Sequence, residues 1–151
     1  MATDKIFTRV DSALQPILEE LSNREPIFHT QRFGRSLEDF QRSTAPDFWE
    51  VGASGRRYSR DFILRMRVKD ELVDADTAGW KASAFGLRRL GERTFLLTYT
   101  LDQASRLTRR ATIWEETQEG WRILYHQGTI VTSPEDDVVP TDSRLTHRPG
   151  S

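Results

Sequence analysis

The chain has 151 residues, a length that suits one domain with a hydrophobic core of its own. Its 22 lysines and arginines nearly balance its 23 aspartates and glutamates, so no overall field draws it to nucleic acid or to an anionic membrane. It has no cysteine, which excludes disulfides, thiolate metal sites and cysteine nucleophiles. No apolar run approaches the length of a membrane span, and the N-terminus lacks the apolar stretch of a signal peptide. We therefore expect a cytoplasmic protein.

The first part of the chain predicts helices. Apolar residues recur at helical spacing from Ile6 to Leu21, and Pro16 predicts that this amphipathic helix kinks or starts afresh there. Pro26 to Thr30 predicts a short further turn of helix.

The next segment predicts a helix, a strand pair and a second helix. Ser36 is a candidate N-cap for a helix that runs to about Arg42, and residues 48–52 predict a short strand. Residues 57–58 could be the returning strand, and Ser59 could cap a helix that ends near Leu72. Its buried face is predicted to be Phe62, Ile63 and Met66.

From Trp80 onward the pattern becomes that of strands joined by short turns. The four predicted strands are Lys81–Leu90, Thr94–Leu101, Leu107–Thr117 and Trp121–Thr132. Short connections imply an antiparallel meander, so the fold class is α+β, with N-terminal helices packed in a curved antiparallel sheet. We expect one domain over residues 1–132 and a polar C-terminal tail over residues 133–151.

The last strand has apolar side chains on both faces. Simple alternation places Trp121, Ile123 and Tyr125 on one side and Leu124 and Ile130 on the other. Because the helices suffice to cover only one face of the sheet, we expect a homodimer that covers the second.

Several segments together resemble a known superfamily. They are FWEVGASGRRYSRDFIL from Phe48 to Leu64, then Tyr99, Arg109-Arg110, Trp114 and GWRILYHQGT. These residues resemble the nuclear-transport-factor-2-like superfamily, and within it the small bacterial SnoaL-like domains of unassigned function. The resemblance extends over residues 20–132.

The resemblance implies a cystatin-like cone of sheet around helices, a pocket at its wide mouth and dimers through the outer sheet face. Some members are isomerases, dehydratases or hydrolases, whereas others only bind a ligand or a partner, so the fold alone does not give the function. The aspartate, tyrosine and arginine sets of the isomerase and hydrolase members are not matched in this chain.

Two residues are candidates for acid–base chemistry. His126 titrates near neutral pH in its free form, and Glu50 could be a general base if burial among aromatic residues raises its pKa. The alternatives are a hydrogen-bonded structural histidine near the dimer face and an exposed surface glutamate. Gln127 points away from His126 on an extended strand.

Five residues are candidates for ligand binding. Arg110 shares a strand face with Trp114 and could hold a carboxylate or phosphate, with the ring stacking on an apolar ligand part. The alternative for Arg110 is a surface pair with Glu115, Glu116 or Glu119. Trp49, Tyr58 and Tyr99 complete the predicted aromatic lining, although Tyr99 also fits an ordinary core position.

The leading hypothesis is a cone-fold domain that binds an unknown small molecule. The second is an enzyme that transfers protons on a small apolar substrate, with His126 or Glu50 as base and Tyr58 or Tyr99 as proton donor. The third is a dimerisation module with a filled cavity. No cofactor or metal is expected, because nucleotide-binding motifs are absent and the three histidines are well separated.

Overall fold

The structure of the chain is a computed structural model that describes residues 4–30, 36–69, 72–133 and 137–138. The predicted tail therefore lies almost wholly outside the described residues. The helices are α1 (Asp4–Phe7), α2 (Gln15–Ser22), α3 (Leu37–Arg42), α4 (Arg60–Val68) and α5 (Ala75–Ala78), with 3-10 turns at Ser12–Leu14 and Ile27–His29.

The N-terminal helical pattern is divided at the proline. Pro16 lies in the first turn of α2, where the missing N–H costs no hydrogen bond, so the helix starts afresh rather than kinks. Before it, Asp11 accepts a hydrogen bond from the Ala13 N–H at 3.1 Å and begins the 3-10 turn. The segment that contains Ile6 is therefore not part of α2, and it lies against the outer face of the sheet.

Both predicted N-caps are confirmed. Ser36 accepts from the Asp39 N–H at 3.0 Å while the Asp39 carboxylate accepts from the Ser36 N–H at 3.2 Å, which is a capping box. Ser59 accepts from the Phe62 N–H at 3.2 Å and begins α4. The predicted buried face of α4 is wrong at Phe62, which is 46% exposed, since the helix turns Ile63 and Leu64 inward instead.

Six strands form one curved sheet in the order β2-β1-β6-β5-β4-β3. Their bounds are β1 (Thr44–Val51), β2 (Arg57–Ser59), β3 (Lys81–Arg89), β4 (Thr94–Asp102), β5 (Leu107–Thr117) and β6 (Gly120–Val131). The predicted four-stranded meander is confirmed as β3 to β6. β1 begins earlier than predicted and pairs parallel with β6, which adds the β1–β2 hairpin to the edge of the meander.

A β-bulge in β6 reverses the alternation of its side chains. Trp114 pairs with Ile123 while the preceding Ile113 pairs with Tyr125, so Leu124 is an extra residue without a partner on β5. The predicted common face of Trp121, Ile123 and Tyr125 is therefore wrong, because Tyr125 turns outward after the bulge. His126 then lies on the inner face, opposite Thr112.

The core lies between the helices and the inner face of the sheet. Its largest fully buried side chains are Leu21, Phe95, Leu97, Leu101, Trp114 and Ile123. The predicted α+β fold, with helices inside a curved sheet, is confirmed. Within the described part of the chain, no helix is both long enough and apolar enough to cross a membrane.

Candidate functional site

A cluster of polar side chains lies on the inner face of the sheet, where apolar packing would otherwise be expected. β4, β5, β6 and β1 each contribute, and the turn that follows α2 contributes one carboxylate from the helical side. We define the inner polar cluster as Glu25, Glu50, Tyr99, Arg110, Thr112, Trp114 and His126.

Glu25 is the centre of this cluster and is only 4% exposed. Its carboxylate accepts from the Tyr99 O–H at 2.8 Å, the Ile27 N–H at 3.0 Å and the Trp114 Nε1–H at 3.3 Å. Thr112 donates a further hydrogen bond. Burial raises the pKa of Glu25, and the four donated hydrogen bonds work against that rise because they favour the ionised form.

A hydrogen-bonded chain leads from Glu25 through Thr112 and His126 to Arg110. The His126 Nδ1 lies 2.7 Å from the Thr112 hydroxyl, and its Nε2 lies 3.3 Å from an Arg110 guanidinium nitrogen. A guanidinium only donates, so Nε2 must be the accepting nitrogen and Nδ1 carries the proton that is donated to Thr112. Thr112 is then free to donate to Glu25, and every donor in the chain points the same way.

His126 is therefore held as a neutral imidazole. Burial, followed by the charge of Arg110, lowers its pKa to about 3. Both ring nitrogens are engaged, so the ring fixes the orientation of Arg110 and Thr112. A catalytic base needs a free lone pair, and neither ring nitrogen of His126 offers one. The structure therefore does not support the predicted role of His126 as a catalytic base.

Glu50 lies beside His126 on the neighbouring strand and opposite Tyr58 on β2. Burial raises its pKa to about 7, while the charge of Arg110 acts in the opposite direction and the charge of Glu25 adds to the rise. Among the residues that the structure describes, no side chain hydrogen-bonds or pairs with the Glu50 carboxylate. Glu50 thus changes its protonation state near neutral pH without a fixed partner.

Arg110 is the cation of the cluster and lies half-buried against Gly128. A Cβ at Gly128 would lie 3.4 Å from the guanidinium carbon, so the small residue makes room for the arginine. The Nε of Arg110 donates to the Thr108 hydroxyl at 3.0 Å, and one terminal nitrogen donates to His126. Within residues 4–30, 36–69, 72–133 and 137–138, no carboxylate forms an ion pair with Arg110.

The surface pair that was the alternative for Arg110 is not formed, because its predicted partners lie elsewhere. Glu115 points to the outer face and pairs with Arg122 at 2.7 Å. Arg110 instead points into the cone with Thr112 and Trp114, as the strand parity predicts.

The structure brings some of the predicted aromatic residues together and separates others. Tyr99 and Trp114 are 3% and 0% exposed and bond Glu25, which places them in the wall of the core rather than at an open surface. Tyr58 stacks on Phe62 at 5.7 Å beside Glu50. Trp49 lies on the outer face against Tyr125, away from the other four candidates.

Sequence reasoning missed Glu25 altogether, although it organises the site. A second histidine, the half-buried His29, donates from its Nδ1–H to the Val73 carbonyl at 2.7 Å, and its ring lies 4.9 Å from that of Trp80. Burial lowers the pKa of His29 to about 4. No group of three histidine, aspartate or glutamate side chains in the described part is arranged to hold a metal ion.

Comparisons with known proteins establish the fold. No protein-family model matches the chain, and no curated protein matches it in sequence. A nuclear-transport-factor-2-like protein of unknown function in nutrient uptake from Rhodospirillum rubrum is 16% identical, with a TM-score of 0.56 over 77% of this chain and 97% of that one. A nuclear-transport-factor-2-like protein from Cytophaga hutchinsonii is 10% identical, with a TM-score of 0.58 over 81% of this chain and 100% of that one.

A cystatin-like fold protein from Burkholderia xenovorans is 13% identical, with a TM-score of 0.58 over 80% of this chain and 97% of that one. Each similarity covers nearly the whole of the other protein, so the shared unit is a complete domain. The chain has the nuclear-transport-factor-2-like, cystatin-like fold, and these similar structures carry no assigned activity.

Proposed function

We propose that the inner polar cluster binds a small molecule in which an anionic oxygen group is joined to an apolar body. The observation that carries this proposal is the half-buried Arg110, with which no carboxylate of the described residues forms an ion pair. A partly desolvated cation is costly without a counter-charge, and a carboxylate is a natural partner for the free edge of a guanidinium.

The neighbours of Arg110 favour this role. Thr108 and His126 each fix one of its nitrogens, so the guanidinium is oriented before a ligand arrives. Glu50, when protonated, can donate a hydrogen bond to the same anionic group. When ionised it repels that group, so the affinity for an anion falls as the pH rises through the Glu50 pKa of about 7.

The test is a calorimetric titration with benzoate, phenylacetate and hexanoate between pH 5.5 and 8.5. We expect binding that weakens toward high pH, and an Arg110→Gln variant that binds at least about tenfold more weakly. A Glu50→Gln variant should bind with an affinity that no longer depends on pH in this range. Arg57→Gln, an exposed arginine on β2, is the matched control and should bind as the wild type does.

Two results would overturn the proposal. One is equal affinity in the wild type and in folded Arg110→Gln. The other is binding that remains equally pH-dependent in Glu50→Gln. Native mass spectrometry of the freshly purified protein, compared with the denatured mass, would also reveal a ligand that is carried through purification.

The second candidate function is proton transfer on a small carbonyl compound, and the pKa of Glu50 near 7 favours it. Glu50 would take a proton from carbon, and Arg110 would stabilise the negative charge that develops on the carbonyl oxygen. Glu50 is preferred over His126 as the base because both nitrogens of His126 are engaged. In this case Glu50→Gln abolishes turnover while a substrate-like ketone still binds.

We also propose a homodimer through the part of the outer face that β1 and β6 form. Trp49 is 44% exposed there and lies with its ring centre 5.0 Å from that of Tyr125, in an edge-to-face arrangement. An exposed aromatic pair on a sheet face is typical of a protein interface.

A further inference from the structure

A groove of about 760 Å³ lies on the outer face of the sheet, and its lining also includes Tyr99 and Arg110 of the inner polar cluster. Its floor is formed by outward side chains of β4, β5 and β6, and one wall is formed by the N-terminal segment 6–9, which we name the strap. The volume is within the range of small-molecule sites in proteins. The groove lies over β3 to β6, and its lining includes Tyr125, whose ring centre lies 5.0 Å from that of Trp49 on β1.

The strap is fitted closely to the edge of the sheet. A Cβ at Gly86 would lie 2.8 Å from the Phe7 carbonyl oxygen, a distance that real Cβ atoms do not show, so only glycine admits the strap here. The Leu87 N–H donates to the Arg9 carbonyl at 3.4 Å. β3 carries a bulge at this point, with Ala84 at a positive φ of 55°. Bulges and strained backbone of this kind are frequent where a sheet forms a binding site.

The groove has an apolar floor and a basic rim. Leu96, Ala111 and Ile113 form the floor, and the apolar strap residues Ile6 and Phe7 face it from the wall. Phe7 and Ile6 are 47% and 50% exposed, so the strap leaves apolar surface available to a ligand rather than closing the groove.

Four arginines line the groove, namely Arg9, Arg88, Arg109 and Arg110, and one of them, Arg109, forms an ion pair. Arg109 pairs with Asp137 at 3.4 Å and donates to the Thr100 hydroxyl at 2.6 Å. Arg9 and Arg88 also line the groove, and among the residues described neither side chain has an ion-pair partner. The rim therefore holds an excess of positive charge over an apolar floor.

We infer that this outer groove is a second binding site, for an amphipathic anion with an alkyl chain on the floor and a carboxylate at Arg9 and Arg88. The positive charge of the rim favours an anionic ligand, and the apolar floor favours a ligand that also has an apolar part. Arg110 lines the groove and also belongs to the inner polar cluster, so the inference is separated from the function proposed above by Arg9 and Arg88, which are not part of that cluster.

The test is a titration of the full chain with decanoate, decanol and decyltrimethylammonium below their aggregation concentrations. We expect decanoate to bind at least about tenfold more tightly than the other two, because only decanoate pairs with the arginines. The double variant Arg9→Gln, Arg88→Gln should lose that preference, while Arg57→Gln keeps it.

NMR spectra of the methyl groups locate the ligand. Decanoate should shift the signals of Ile113 and Ile6 and leave those of the inner residues Ile123 and Leu97 in place. Shifts confined to the inner residues, or equal affinity for decanol, would overturn the inference. It would also be overturned if light scattering showed a dimer that the groove variants dissociate and that decanoate does not affect, because the second copy would then occupy the groove.

Discussion

The inner polar cluster contains two glutamates that differ in the number of hydrogen bonds they accept. Glu25 receives four donors and serves as an internal acceptor that holds Tyr99 and Trp114 in place. Glu50 is half-buried, and within the described residues no group donates a hydrogen bond to its carboxylate. Unsatisfied burial of this kind costs stability and is retained at sites that bind or react.

Burial of the ionised Glu50 carboxylate costs free energy, so we expect replacement of Glu50 to change the stability in a pH-dependent way. Its pKa rises from 4.5 to about 7 on folding, so the folded state holds a proton more tightly than the unfolded state and its stability falls as the pH rises through this range. We expect Glu50→Gln to be neutral near pH 4.5 and stabilising by up to about 3 kcal/mol at pH 8. Urea denaturation at both pH values measures the difference.

Glu19→Gln is the control for this prediction, because Glu19 is an exposed glutamate on α2. Its effect on the free energy of unfolding should be small. A difference between Glu50→Gln and the wild type that stays constant from pH 4.5 to pH 8 would show that Glu50 is not desolvated in the folded protein.

The elements of the fold could largely be predicted from sequence, because their signals are local. Ser36 and Ser59 mark helix starts through side-chain caps, and the meander follows from alternation between turn residues. The site could be predicted only in part. Arg110 follows from regular alternation on β5, whereas the inward direction of His126 depends on a bulge that alternation does not reveal.

Glu25 could not be found from sequence for a different reason. It follows the acidic residues Glu19 and Glu20 at the end of an amphipathic helix, where a glutamate is usually exposed. Its partners Tyr99 and Trp114 lie 74 and 89 residues further along the chain, so its burial is decided by tertiary contacts alone.

The β5–β6 hairpin carries much of the site, and its turn supplies a test at the scale of the element. Gly120 has a φ of 113°, a conformation that strains any residue with a side chain. We expect Gly120→Ala to lower the free energy of unfolding by about 1–3 kcal/mol. Urea denaturation at neutral pH provides the measurement.

Gly91→Ala is the matched control, since Gly91 also lies in a turn of the meander and a Cβ there would come no closer than 3.8 Å to another residue. It should change stability by less than about 1 kcal/mol. Equal costs for the two substitutions would contradict the assignment of strain to the Gly120 turn.

At the scale of the whole molecule, the sheet presents two chemically different faces. The inner face carries the helices and the inner polar cluster, and the outer face carries the strap, the groove and the Trp49–Tyr125 pair. The proposed dimer uses the Trp49–Tyr125 pair, and Tyr125 also lines the groove, so the variant that tests the dimer is placed at Trp49, which does not line the groove.

Replacement of Trp49 by lysine tests the dimer. A charge placed in an apolar interface opposes association, so we expect Trp49→Lys to have the mass of one 17.5 kDa chain by light scattering while the wild type has twice that mass. Leu90→Lys, at another exposed apolar residue that is 54% accessible, should remain a dimer. A monomeric wild type would remove the homodimer proposal.

The extra residue in β6 also has a consequence for aligning this chain with others. His126 follows Trp121 by 126 − 121 = 5 positions, an odd step that joins opposite faces in a regular strand, yet here both side chains face inward. In a relative whose last strand is regular, the inward counterpart of His126 stands one position earlier. An alignment without a gap at Leu124 would therefore compare inward residues with outward ones through the rest of the strand, and would hide any shared chemistry at His126.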